Sequence, residues 1–257
     1  MKTPKSTPHH RAAPGLCLLP LLFALTAGAA ANYEQPAVLT GNIYEAGSGT
    51  NQLLYTFKRT ATRSNSETHV LRDFLYPNGA LAARETIVFQ QGELVSFTLD
   101  EKQTGAHGRS VVARSGGNGS KRTLQFAWNE GSKAKTDSEA WQADTIVADM
   151  LPYFIASHWN QLAREEHVHL RFIVPSRLET VGFKLVRESE VSWHGKEAVR
   201  VRMEPSSVII RQLVEPLFFI VEKAGEHHIL EYVGRTTPKR RDGAKWKDLD
   251  ARTIYSW

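Results

Sequence analysis

Beyond Asn32 the chain is built from short runs in which apolar and polar residues alternate, divided by turn residues. That is the pattern of antiparallel strands with one face buried. Leu53, Tyr55 and Phe57 recur at period two within 52–59, after Gly47-Ser48-Gly49. A second run, 68–76, stops at Pro77-Asn78-Gly79. Asn-Gly tolerates positive φ, so the spacing predicts a two-residue or closely related hairpin with Gly79 at positive φ. Runs 85–89 and 94–99 flank Gln91-Gly92, and 110–114 and 123–128 flank the Ser/Gly-rich tip 115–120. Connections this short make sequence neighbours into spatial neighbours, hence a meander.

The rhythm changes at Leu151. Leu151, Phe154, Ile155, His158, Trp159 and Leu162 fall on one face of a helix, opposite Ser157, Asn160 and Gln161. Asp149 is placed to cap this helix, Pro152 is tolerable only in its first turn, and a preceding helical turn is expected within 139–147. Strand patterning returns at 167–174, 180–187, 191–193 and 198–203, with His194-Gly195 as a turn. Residues 208–214 fit a short helix or a strand. Residues 217–221 are apolar on both faces and predict a central strand, followed by a turn at 223–226 and strands at 228–233 and 253–257. Roughly a dozen strands and one long helix predict a mainly β fold. Its form is a strongly curved antiparallel sheet or open barrel, with the helix against the concave face. No repeat or composition break divides 32–257, which reads as one β-rich domain.

The first 31 residues read differently. Lys2, Lys5 and Arg11 precede an apolar run from Leu16 to Thr26, and small residues end at Ala29-Ala30-Ala31. This is the plan of a cleaved secretory signal, with the mature chain starting at Asn32 in the periplasm or outside the cell. An uncleaved anchor fits less well, because Pro20 interrupts a run shorter than the ~20 apolar residues that span a bilayer. Cys17 is the only cysteine and lies inside that run, so residues 32–257 can form no disulfide, thiolate nucleophile or cysteine-based metal site. Without Lys2, Lys5 and Arg11 the 32 basic residues become 29, against 27 acidic ones. A charge so close to neutral argues against a nucleic-acid partner.

Several of these features resemble secreted bacterial proteins with the lipoprotein-carrier type of open β-barrel. The residues that carry the resemblance are Pro152-Tyr153-Phe154, His158-Trp159, Phe172-Ile173-Val174-Pro175-Ser176-Arg177 and Val181-Gly182-Phe183. In layout it extends over most of 32–257; in residues it is specific only between about 151 and 183. The resemblance implies a helix covering a hydrophobic groove that holds an acyl chain or another apolar ligand. The resemblance assigns no individual residue; the helical stripe Leu151, Phe154, Ile155, His158, Trp159 and Leu162 supplies the groove candidates, the alternative being that the stripe simply fills a core.

Catalytic signatures are missing: there is no G-x-S-x-G, G-x-x-x-x-G-K-[ST], G-x-G-x-x-G or H-E-x-x-H. His167 and His169 project from one face of a strand, and with Glu165 or Glu166 they form a weak zinc candidate. The alternative is that they are half-solvated strand-end histidines, as are His227 and His228. Between Arg235 and Lys247 the basic residues, with Lys239, Arg240 and Arg241 at the centre, fit either a solvated hairpin tip or contact with an anionic membrane surface. The expectation is a non-catalytic periplasmic binder or carrier of an apolar or lipid-like molecule, needing no cofactor. The alternatives are a structural or assembly factor of the cell envelope and a metal-dependent hydrolase using the histidines.

Overall fold

The computed structural model describes residues 35–47, 52–116, 121–212 and 215–257. The expected signal peptide, Cys17 and the cleavage point near Ala31 lie outside the described residues, as do 48–51, 117–120, 213 and 214. Eight strands run first as successive hairpins: β1 (Val38–Glu45), β2 (Leu53–Ser64), β3 (Glu67–Leu75), β4 (Leu81–Gln90), β5 (Glu93–Glu101), β6 (Ala106–Ser115), β7 (Lys121–Glu130) and β8 (Lys133–Ala140). A two-residue strand, β9 (Thr145–Ile146), leads into α1 (Leu151–Ser157) and α2 (Trp159–Ala163). The second series is β10 (Val168–Val174), β11 (Glu179–Trp193), β12 (Lys196–Pro205), α3 (Val208–Arg211), β13 (Leu217–Glu222), β14 (Ile229–Asp242) and β15 (Lys245–Ser256).

All fifteen strands belong to one sheet, in the order β8-β7-β6-β5-β4-β3-β2-β1-β15-β14-β13-β12-β11-β10-β9. Every pairing is antiparallel except β9 with β10. The two meanders are joined at the centre by β1 and β15, where Gly41 pairs Tyr255 and Ile43 pairs Thr253.

The order of the strands dictates the curvature. β8 and β9 are the two edges of the sheet, yet they are consecutive in the chain. Flat, fifteen strands at ~4.8 Å would put those edges about 67 Å apart. The link from Ala140 to Thr145 can span at most ~18 Å. The sheet therefore has to roll until its edges approach, and Glu139 at one edge accepts a hydrogen bond from the Thr180 backbone N–H near the other, at 3.1 Å. No ladder joins β8 to β9, so the barrel stays open.

The expected fold class is the one found. Several local expectations are corrected. Residues 139–147 hold the end of β8, a turn and β9 rather than a helical turn. β8, Lys-Ala-Lys-Thr-Asp-Ser-Glu-Ala, is exposed almost throughout and has no apolar period to betray it. Its lysines suit an edge strand, where charge discourages pairing with other chains. The apolar stripe is carried by two short helices that break at His158 (φ −104°, ψ 13°). Asp149 makes no capping bond to them, because its carboxylate is engaged by β2. The basic segment is mostly strand, with its turn at Gly243.

Gly79 has φ 84°. The Gly79 N–H bonds the Tyr76 carbonyl and the Tyr76 N–H bonds Ala80, each at 2.8 Å. Pro77 and Asn78 thus form the turn, and Gly79 is the left-handed residue that follows it.

Candidate functional site

Three neighbouring strands place a charged residue in phase with their buried apolar face. The inward series are Tyr55-Phe57-Arg59 on β2, Val70-Arg72-Phe74 on β3 and Ala83-Glu85-Ile87 on β4. Register sets Arg59 opposite Arg72, and Arg72 opposite Glu85, making one cross-strand row of three charges. Two like charges directly opposite one another are destabilising. Asp149, brought down by the segment before α1, offsets them.

Asp149 accepts from Arg59 through both carboxylate oxygens, at 2.7 and 3.1 Å. Arg59 also donates to the Pro36 carbonyl at 2.5 Å. Arg72 bonds Glu85 through Nη1, and Thr237 donates to the other Glu85 oxygen at 2.5 Å. All four charged residues are under a tenth exposed, and two guanidiniums against two carboxylates sum to zero. Burying an ion costs several kcal/mol, so such a cluster persists only when its members are paired. Burial works against the Arg72 cation, but Glu85 and Asp149 outweigh it and hold its pKa above the usual value.

This row lies on the wall of a cavity of about 320 Å³ inside the rolled sheet. Phe57, Phe74 and Phe97 line it from the first meander, and Phe172, Phe183 and Phe219 from the second. Ala148, Leu151 and Pro152 contribute from the helical segment. Its volume lies at the small end of the ~300–1,000 Å³ typical of ligand pockets.

Tyr255 enters the cavity across Gly41, its partner on β1. A Cβ at Gly41 would stand 3.3 Å from the Tyr255 ring and 2.9 Å from the Ile254 carbonyl. The missing side chain is what lets the ring lie flat enough to meet Phe57 edge-on, with centroids 5.7 Å apart.

No family model matches the chain. No curated protein matches it either. Among solved structures it is similar to a β-barrel-like protein of the domain of unknown function DUF1849 from Brucella abortus, at 8% identity over 85% of this chain and 93% of that one, with a TM-score of 0.39. It is also similar to a DUF1329 family protein from Desulfovibrio piger ATCC 29098, at 6% identity over 87% of this chain and 85% of that one, with a TM-score of 0.25.

The structure divides the groove candidates. Leu151 lines the cavity. Ile155 and Leu162 are fully buried in the core between the helices and β10–β14. Phe154 and Trp159 pack on the same core, and Trp159 stacks on His227 with centroids 4.1 Å apart. His158 stacks on Phe154 and donates from Nδ1 to the Phe154 carbonyl at 2.8 Å. His167 and His169 are exposed. Among the described residues no three His, Cys, Asp or Glu side chains gather as a metal site would require. His228 lies between Glu222 and Glu226, at 3.1 and 3.0 Å, and stacks on Trp257.

In the basic hairpin, Lys239 pairs with Asp248 at 2.9 Å and Glu101 at 3.4 Å, Arg240 with Glu45 at 3.4 Å, and Arg241 lies over Trp246. Much of its charge is answered locally. Arg59, Arg72, Glu85 and Tyr255, all on the cavity lining, were not singled out by sequence reasoning. The available signal was a charge at the apolar phase of three successive strands.

Proposed function

We propose that the protein is a non-catalytic binder or carrier of an apolar, lipid-like molecule, acting in the periplasm or outside the cell once residues 1–31 are removed. The observation that carries this reading is the cavity, walled largely by aromatic and aliphatic side chains from both meanders, with a buried charged cluster on its wall. An apolar chain in such a space gains about 0.8 kcal/mol per buried methylene, and roughly ten methylenes outweigh the entropy lost on binding. The charged cluster on the wall fixes which end of the chain goes in, as the few convergent polar groups of a ligand pocket do. The open seam between β8 and β9 leaves the barrel free of a continuous ladder there.

The experiment is to purify the protein from the periplasm and examine it by native mass spectrometry, then by solvent extraction. The expected result is a co-purifying lipid-like mass that extraction removes. Protein at its bare mass that also fails to take up a fluorescent apolar probe would overturn the reading.

A further inference from the structure

The cavity wall holds hydrogen-bond donors that find no partner among the described residues. Arg72 has five N–H groups, and only Nη1 has a hydrogen-bond partner among the described residues, the carboxylate of Glu85. Its Nε is 3.9 Å from Asp149, too far for a hydrogen bond. The Tyr255 hydroxyl has no hydrogen-bond partner among the described residues, and its pKa is raised chiefly by burial. Both side chains line the cavity. They flank the same ring: the Arg72 guanidinium sits 5.2 Å from the Phe57 centroid, and the Tyr255 ring 5.7 Å from it. These N–H and O–H groups front the cavity, where they can donate to an acceptor on a bound molecule.

Charge decides which acceptor. Arg59 and Arg72 are already matched by Asp149 and Glu85. Arg235, the remaining cation on the lining, is engaged by Asp248 and Asp250. A carboxylate or phosphate entering here would add a net negative charge beside a buried neutral cluster, with no unpaired cation among the described residues of the lining to answer it. An amine would add a positive one. A carbonyl oxygen adds neither.

We propose that the molecule carried has a neutral acceptor, an ester or amide carbonyl, at the end of its apolar chain, received by Arg72 and Tyr255. The site thereby selects acylated molecules over free fatty acids. This rests on the carrier reading above.

The test uses the purified protein and displacement of a fluorescent apolar probe, N-phenylnaphthylamine, by three competitors of equal chain length: methyl palmitate, palmitic acid and hexadecane. At pH 7.5 the ester should displace the probe at about tenfold lower concentration than either of the others. Tyr255→Phe keeps the ring against Gly41 and removes only the hydroxyl. It should bring the ester down toward the alkane and leave the alkane unchanged. The paired variant Arg72→Met with Glu85→Gln, which keeps the interior neutral, should do the same. Equal displacement by all three, a preference for palmitic acid, or an unchanged ester preference in Tyr255→Phe would each overturn the proposal while leaving the carrier reading standing. Failure of the probe to bind, or of every competitor to displace it, would instead overturn the carrier reading.

Discussion

The side-chain amide of Gln103 pairs with the backbone of Lys239 in both directions, accepting its N–H at 2.7 Å and donating to its carbonyl at 3.0 Å. A side chain thus stands in for a strand. β14 outruns β13, whose pairing ends at Phe218 with Val233, so the far half of β14 has no β13 neighbour. Gln103, in the turn after β5, fills that edge from across the interior. Its Nε2 also lies 2.9 Å from the hydroxyls of both Tyr55 and Tyr76. Gln103→Ala leaves several of these groups unmet, at about 1–3 kcal/mol each where they are buried. The expected outcome is a loss of about 2 kcal/mol or more, read from the midpoint of denaturant unfolding.

The Arg59–Asp149 pair makes a sharper test because both members are buried. Asp149→Ala strands the Arg59 cation and should cost about 3–5 kcal/mol. The double variant Arg59→Met with Asp149→Leu removes both charges together and should recover much of that loss. Unfolding curves of Arg59→Met, Asp149→Leu and the double variant give the coupling directly.

Gly79 supplies the turn prediction. At φ 84° a β-branched residue is a steric outlier. Gly79→Val should lower stability by at least about 1 kcal/mol. An unchanged melting temperature would contradict the hairpin geometry.

Glu231 supplies a pH dependence. Burial alone would raise its pKa, but bonds from Arg252, at 2.8 and 2.6 Å, and from Trp193, at 3.0 Å, prevail and hold it below the usual 4.5. A carboxylate depressed in the folded state contributes stability above its unfolded pKa and loses it as pH falls through the folded one. Glu231→Gln should therefore flatten the fall in melting temperature on acidification below about pH 4.5, while lowering stability at neutral pH.

Trp159 separates core from cavity. It packs on the core and stacks on His227 without lining the cavity, whereas Leu151 does line it. Trp159→Ala should cost about 3 kcal/mol and leave probe affinity intact. Leu151→Ala should change both stability and probe affinity, measured by thermal unfolding and fluorescence titration.

Much of the fold was legible because alternation survives wherever one face is buried. Tyr55-Phe57 and Val199-Val201-Met203 announce their strands plainly, and Leu217–Val221 announces an interior one. β8 was invisible for the opposite reason: nearly all of its residues are exposed, so sequence and burial share no period. The helix stripe was read correctly as apolar, but periodicity cannot tell a side chain that fills a core from one that borders a void. Ile155 and Leu151 lie on the same stripe with different fates. The charged row escaped because Arg59, Arg72 and Glu85 look, one strand at a time, like ordinary surface residues. Only the register that sets them side by side turns them into a cluster.

The seam between β1 and β15 has a kinetic meaning. Every other strand pair joins neighbours in sequence, so each meander can zip up locally, hairpin by hairpin. Tyr44 and Arg252, by contrast, are paired from opposite ends of the described chain. Closing so long a loop is the entropically costly step, and contacts of high sequence separation slow folding. The seam is therefore the expected rate-limiting event, and Gly41 meets Tyr255 only when it closes. Until then the cavity has two half-walls and no interior, and the aromatic faces of both are open to chaperones or to aggregation.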